Sequence, residues 1–377
     1  MKNLHLMIKP ASSLCNMRCK YCFYAEVSDM RCVSSYGIME GACVDAMLDN
    51  VKKDLELGDG VHFIFQGGEP TLAGLDFFRD FIARASLWKG IRVSYALQTN
   101  GILLDAEWCE LLKRHNFLVG VSFDILPECH DGARVGADGK GTCTRVLEGI
   151  ALLRKYGVEF NILCTLTENV ARHPQAVWNQ IRKLGFDYVQ FTPCLGPLEG
   201  GKSPYSITPE RFSSFYIQLF GYWYTDFKRG VRCSIKFFDD IVNLMILGKP
   251  TACGMCGSCQ LQLVVEADGS VYPCDFYCLD EYRMGNITVD SVSSLLQSLG
   301  AKSFLERNST LPTFCQDCRY HRFCGGGCRR MRYQVYCDEL TSFCGYQRFL
   351  DEHGESLSLL AAQAKRAYFS KIKGGPQ

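Results

Sequence analysis

Three cysteines near the start of the chain, Cys15, Cys19 and Cys22, stand at i, i+4 and i+7 in the run CNMRCKYCFY. A short apolar run, LHLMI, and a turn-like segment, KPASS, precede them. This order reads as a strand that empties into a loop holding three thiols, and thiolates are the soft ligands that iron–sulfur clusters and zinc take. Zinc favours four ligands, usually with paired C-x2-C spacing, and no nearby residue completes such a set. Three ligands are one short of filling a cubane [4Fe–4S] cluster, so one iron would stay open to a ligand from outside the chain. A site of this kind needs a rigid frame of further strands behind it.

The frame is visible as alternation. An expected helix from about Glu40 to Leu55 leads into the apolar run VHFIF at 61–65, which ends in Gln66-Gly67-Gly68-Glu69-Pro70. Residues 75–88 suit a helix, 91–101 a strand and turn, 105–115 a helix, and 117–125 a strand. Then come a helix at 144–157, a strand at 158–167, a helix at 171–185 and a sixth strand at 186–194. Strands separated by helical lengths predict βαβ units, and such apolar strands fit a parallel sheet covered on both faces. The expected class is α/β, a partial (β/α)6 TIM-like barrel. Its chemistry would collect at the strand ends, where Gln66, Gln98, Thr99, Asn100, Ser122, Asp124, Gln190 and Thr192 all fall. Ser122 and Asp124, two apart, are expected on one side of their strand.

Composition narrows the class. The 377 residues are 47% hydrophobic and 21% charged, enough for one large domain and a smaller one. A net charge of +1 implies no nucleic-acid partner. No apolar run reaches the length of a membrane span, and MKNLHLMIKP lacks a secretory leader, so a cytoplasmic location is expected. Twenty-two cysteines would suit a short secreted disulfide scaffold, but their clustering favours a reduced, metal-loaded protein. Three lie at the start, and a dense set lies between Cys253 and Cys344.

The CxxxCxxC run resembles the signature of the radical S-adenosylmethionine (SAM) enzymes, and Gly67-Gly68-Glu69-Pro70 resembles their GGEP motif. The resemblance implies that the open iron chelates SAM, and that cluster reduction cleaves SAM to methionine and a 5′-deoxyadenosyl radical. It further implies that Gly67, Gly68 and Glu69 hold the SAM amino group, that Ser122 contacts SAM, and that Arg134 meets its carboxylate. Tyr24 is expected to line the adenosyl pocket. The family's S-x-D-G reads Ser122-Phe123-Asp124-Ile125 here, without the glycine.

The second cysteine field reads Cys253-x5-Cys259-x14-Cys274, then Cys315-x2-Cys318-x5-Cys324-x3-Cys328, then Cys344. Between Cys259 and Cys274, two apolar runs flank ADGS, a hairpin signal. Eight thiols suffice for two fully ligated [4Fe–4S] clusters, and spacing alone also admits two zinc knots. The field resembles the SPASM extension of radical SAM enzymes, closest to the anaerobic sulfatase-maturating members. The resemblance covers nearly the whole chain, through FQGGEPTLAGL, LQTNG, VVEADGSVYPCDFY, GGGCRR and FCGYQ. It assigns Cys253, Cys259, Cys274 and Cys328 to a first auxiliary cluster. Cys315, Cys318, Cys324 and Cys344 go to a second, making three clusters in all, with Cys256, Cys278 and Cys337 left over. Domains are expected at 1–232 (barrel), 233–346 (SPASM) and 347–377 (helical tail).

By the same resemblance, Asp275 is the general base in oxidation of a cysteine or serine side chain of a sulfatase precursor to Cα-formylglycine. The partner would be an unfolded peptide with a CxPxR-like or SxPxR-like motif, gripped by Gln66, Gln98, Thr99, Asn100 and Gln190. A ferredoxin or flavodoxin would donate electrons in an anaerobic cell. The alternatives are a SPASM enzyme that cross-links or epimerises another ribosomal peptide, and a structural metal-binding adaptor. Such peptide enzymes often carry an N-terminal recognition domain, for which a first strand beginning by Leu4 leaves no room.

Overall fold

The computed structural model describes residues 3–255, 257–307 and 310–373, with side chains to 366. Six strands, β1 (Asn3–Ile8), β2 (Gly60–Phe65), β3 (Arg92–Thr99), β4 (Leu118–Ser122), β5 (Phe160–Leu166) and β6 (Tyr188–Pro193), run parallel in chain order. Helices at Gly41–Lys53, Gly74–Ala85, Ala106–Arg114, Cys143–Tyr156 and Pro174–Leu184 carry the crossovers. The strands read as apolar runs because helices cover them. Phe63 and Phe65 are fully buried, and the Phe65 ring meets Phe78 at 4.8 Å and Phe81 at 5.0 Å.

The expected helix at 171–185 forms from Pro174 to Leu184, and a separate short helix lies just before it. Glu168–Ala171 is capped by Thr167, whose side chain accepts from the Val170 N–H. Pro174 opens the second at its first turn, and Gly185 closes it with a φ of 62°. Proline lacks the N–H that a continuous helix would need, but it suits a first turn.

Past residue 232 the sheet does not stop. β7 (Ser234–Ile235) lies parallel to β6. The ADGS hairpin forms as β8 (Leu263–Val265) and β9 (Ser270–Tyr272). β8 lies parallel along β1, with Leu6 opposite Leu263 and Ile8 opposite Val265. With β10 (Gly285–Asn286) beside β9, the order is β10-β9-β8-β1-β2-β3-β4-β5-β6-β7. The boundary expected at 232 therefore cuts one sheet and one core, since Leu6, Ile235, Leu263, Val271 and Phe349 belong to the same buried cluster. A short antiparallel pair, β11 (Cys337–Asp338) and β12 (Phe343–Cys344), leads into the last helix, Gly345–Lys373. That helix buries Phe349, Leu350, Leu357 and Leu360. Phe349 stacks on Phe238 at 5.9 Å, while Leu359 faces outward.

Candidate active site and auxiliary cysteine sites

The loop after β1 is pinned from two sides. The Gly68 N–H donates to Ser12 O and the Glu69 N–H to Leu14 O, each at 2.8 Å. On the other side, Arg18 N–H donates to Val135 O at 2.8 Å and Lys20 N–H to Ala133 O at 3.0 Å. A Cβ on Gly68 would sit 2.1 Å from Leu14 O, and Gly67, at φ 130°, lies against Lys9 and Ser12. The two glycines thus let the β2 turn press against the cysteine loop, where the sequence suggested a close approach to ligand.

So held, Cys15, Cys19 and Cys22 line a cavity of about 380 Å³ at the carboxyl ends of the strands. Gln66, Gly67, Gly68, Glu69, Gln98, Thr99, Asn100, Ser122, Arg134 and Thr192 line it too. The expected strand-end groups therefore share one mouth, with two exceptions. Gln190 lines a neighbouring cavity of about 150 Å³ that shares Thr192 and Pro193 with the first. Asp124 is fully buried, because β4 ends at Ser122 and the chain turns inward. There Asp124 accepts from the Thr165 N–H at 3.0 Å and from the Tyr21 hydroxyl, and pairs with Arg134 Nε at 3.2 Å. Ile125 adopts φ 61°, the left-handed turn that the missing glycine would have taken.

Glu69 is buried, and its donors come from the protein: Thr71 N–H and Oγ1 and Thr99 Oγ1 to Oε1, and Asn100 N–H to Oε2. Burial raises its carboxyl pKa, and these hydrogen bonds oppose the rise. Oε2, with one donor, keeps acceptor capacity. Arg134 also donates to Thr165 Oγ1 at 3.1 Å, and its Nη1 lies 4.0 Å from Cys19 Sγ.

Tyr24 does not reach the cavity. It lies on the helix Phe23–Asp29, 3% exposed, with its hydroxyl on Glu266. Tyr21, between Cys19 and Cys22, takes the wall position instead. Its place in the cysteine loop, ahead of the helix, was the available signal.

The hairpin brings Asp275 and Phe276 into the same cavity wall. Lys9 Nζ donates to Asp275 Oδ1 at 2.6 Å, with the lysine side chain 1% exposed and the carboxylate 20% exposed. The ammonium also lies 3.6 Å from the Tyr24 ring centroid. Burial disfavours the charge on Lys9, yet Asp275, Cys278 and Glu266 outweigh it and raise the pKa. Sequence reasoning missed Lys9, whose signal is a lone cation one residue past a buried strand.

The later cysteines gather in two places. Cys315, Cys318, Cys324 and Cys344 line one small cavity, and Cys315, Cys324, Cys337 and Cys344 line another beside it. Cys259 and Cys274 each lie within electrostatic reach of Cys328, and Cys253 and Cys328 both lie near Tyr336. Cys256 lies outside the described residues. Among those residues, no three His, Cys, Asp or Glu side chains converge on a point tightly enough for a single ion. The donor chemistry fits a cluster, since thiolates are the soft ligands iron takes; burial alone pushes the Cys15 thiol up to about 11 and raises Cys19, and bound iron would overcome that rise by deprotonating the thiols outright.

Comparison with known proteins agrees with this geometry. The Radical SAM superfamily pattern matches residues 10–176, and an iron-sulfur cluster-binding domain matches 249–319. The cysteine-type anaerobic sulfatase-maturating enzyme of Clostridium perfringens is 43% identical, covering 93% of this chain and 96% of that protein. The serine-type enzyme of Bacteroides thetaiotaomicron is 29% identical, over 89% of this chain and 85% of its own. A solved structure, native anSMEcpe with bound AdoMet (that is, SAM) and Cp18Cys peptide, superposes with a TM-score of 0.88 at 39% identity, over 96% of this chain and 100% of that one. By identity, coverage and fold, the chain belongs to the anaerobic sulfatase-maturating enzymes, radical SAM oxidoreductases with a SPASM domain.

Proposed function

We propose that this chain oxidises a cysteine side chain in an unfolded sulfatase precursor to Cα-formylglycine. The observation that carries the reading is Asp275, held by Lys9 in the wall of the cavity that Cys15, Cys19 and Cys22 line. The cysteine target is supported by 43% identity to a cysteine-type enzyme against 29% to a serine-type one.

Cys15, Cys19 and Cys22 hold the first cluster. Cys253, Cys259, Cys274 and Cys328 hold one auxiliary cluster, and Cys315, Cys318, Cys324 and Cys344 the other. When bound, the first cluster with SAM supplies the 5′-deoxyadenosyl radical that takes a Cβ hydrogen, and the auxiliary clusters supply a sink for the electron that follows. The chain's own residues do the rest. Glu69 Oε2 and the Gly67–Gly68 turn receive the SAM amino group, and Ser122 and Arg134 face the rest of that ligand. Asp275 takes the target thiol's proton, which requires hydrogen-bond contact. Lys9 holds the carboxylate in place through its 2.6 Å contact. Gln66, Gln98, Thr99 and Asn100 grip the peptide, a CxPxR-like segment, by its backbone. Loss of sulfide to water then leaves the aldehyde.

The enzyme would work in the cytoplasm of a cell growing without oxygen, fed by a ferredoxin or flavodoxin. Among the described residues no helix is long and apolar enough to cross a membrane.

The test is anaerobic incubation of the reconstituted protein with SAM, dithionite and a cysteine peptide from a sulfatase. The expected product has oxygen in place of sulfur and two hydrogens fewer. A cross-linking or epimerising enzyme would give no such exchange, and a metal-binding adaptor would form no deoxyadenosine.

A further inference from the structure

Cys337 belongs to neither ligand set, yet it is 3% exposed and sits directly across the β11–β12 ladder from Cys344. Its side chain lines one small cavity together with Cys315, Cys324 and Cys344. Tyr346, two residues past Cys344, lines both small cavities and is 5% exposed. Its hydroxyl is buried and has no hydrogen-bond partner among the described residues, and the same holds for Nε2 of His321, which lines the cavity with Cys318. A buried donor left unpaired is costly. Two such groups and a spare thiol around the same four cysteines call for an acceptor in their midst. The thiolates and sulfides of a cluster are acceptors.

We propose that Cys337 and Tyr346, with the imidazole of His321, form a shell of hydrogen-bond donors around the second auxiliary cluster that raises its reduction potential. The inference rests on the reading that Cys315, Cys318, Cys324 and Cys344 hold that cluster. Reduction adds negative charge to the cluster's sulfurs, so donors aimed at them stabilise the reduced form more than the oxidised one. Hydrogen bonds to sulfur are among the levers that set such potentials. This cluster is thereby poised to keep the electron it receives.

The experiment is a potentiometric titration of the full-length reconstituted protein, followed by electron paramagnetic resonance, with iron and sulfide counted in each variant. Tyr346→Phe keeps the ring contacts with Phe237 and Tyr336 and removes only the hydroxyl. Cys337→Ala removes the thiol, and Cys337→Ser restores a donor. In Tyr346→Phe and Cys337→Ala, one cluster's reduced-to-oxidised ratio at fixed potential should fall about tenfold, roughly 59 mV for a one-electron couple. The other clusters should hold their midpoints, and iron and sulfide should stay at wild-type levels. An unmoved midpoint in Tyr346→Phe overturns the shell. Loss of one cluster's iron in Cys337→Ala makes that residue a ligand and overturns its part. Wild-type protein that binds too little iron for a third cluster removes the underlying reading, and the inference with it.

Discussion

Asp275 and Lys9 face each other across two distant parts of the chain, 2.6 Å apart. If the carboxylate is the base, Asp275→Asn should keep every cluster and still cleave SAM, while formylglycine formation falls by about 10²–10⁴. The amide oxygen still accepts from Lys9, so the stability cost stays below the roughly 3–5 kcal/mol of a broken buried pair. Lys9→Met should lower product formation too, and the double variant should be no worse than Asp275→Asn alone, as residues acting through one another are non-additive. Independent, multiplicative losses would separate the two. A second residue-scale prediction concerns His130, fully buried between the Asp124 N–H and Thr142 Oγ1. Burial lowers its pKa from 6.5 to about 4. The unfolded chain binds a proton there first, so stability is lost as pH falls from about 6.5 towards 4, by about 3 kcal/mol in all. Urea titrations at pH 7 and pH 5 should show a slope that His130→Asn flattens. Residues of this kind were legible unevenly. Cys15, Cys19, Cys22, Glu69 and Asp275, which the fold brings to one cavity, stood out because they lie in short motifs. Tyr24 was misplaced by three positions because only the start of the helix at Phe23 decides which tyrosine turns to the cavity. Lys9 was invisible because its partner lies 266 residues away.

At the scale of elements, the cysteine loop owes its shape to the turn after β2. An alanine at Gly68 puts a Cβ 2.1 Å from Leu14 O, and backbone cannot yield as a side-chain tip would. Gly68→Ala should displace the loop, abolish the first cluster's signal and deoxyadenosine formation, and leave the auxiliary clusters bound. A variant with unchanged deoxyadenosine would show that the contact is slack. The elements themselves were legible wherever period and punctuation agreed: six strands, their crossover helices and the ADGS hairpin all sit near their expected places. The helix expected at 171–185 begins three residues late, at Pro174, because apolar spacing was read through a residue that starts helices. The left-handed turn at Ile125 shows the converse, a loop shape kept without its glycine by the burial of the isoleucine side chain.

For the whole molecule, the placement of β8 beside β1 decides what can fold alone. Hydrophobic runs in the sequence mark each strand but not its neighbour, so the split at 232 followed the cysteine spacing and missed the shared sheet. Without the later part, β1 would lose Leu263, Val264 and Val265 as partners and become an apolar, unpaired edge, the kind that aggregates. Arg31, whose side chain is fully buried, would lose Glu266, which it meets at 2.6 Å. The Lys9 N–H would lose Val265 O, Asn50 would lose Ile287 O, and Asp54 would lose the Val292 N–H. A fragment of residues 1–232 should therefore be insoluble or unfolded by circular dichroism and should not take up the first cluster, although it carries Cys15, Cys19 and Cys22, the three proposed ligands. Should the fragment prove a folded monomer that binds iron and cleaves SAM, the first half would be independent after all, and the hairpin's pairing with β1 would be a docking contact rather than part of the core.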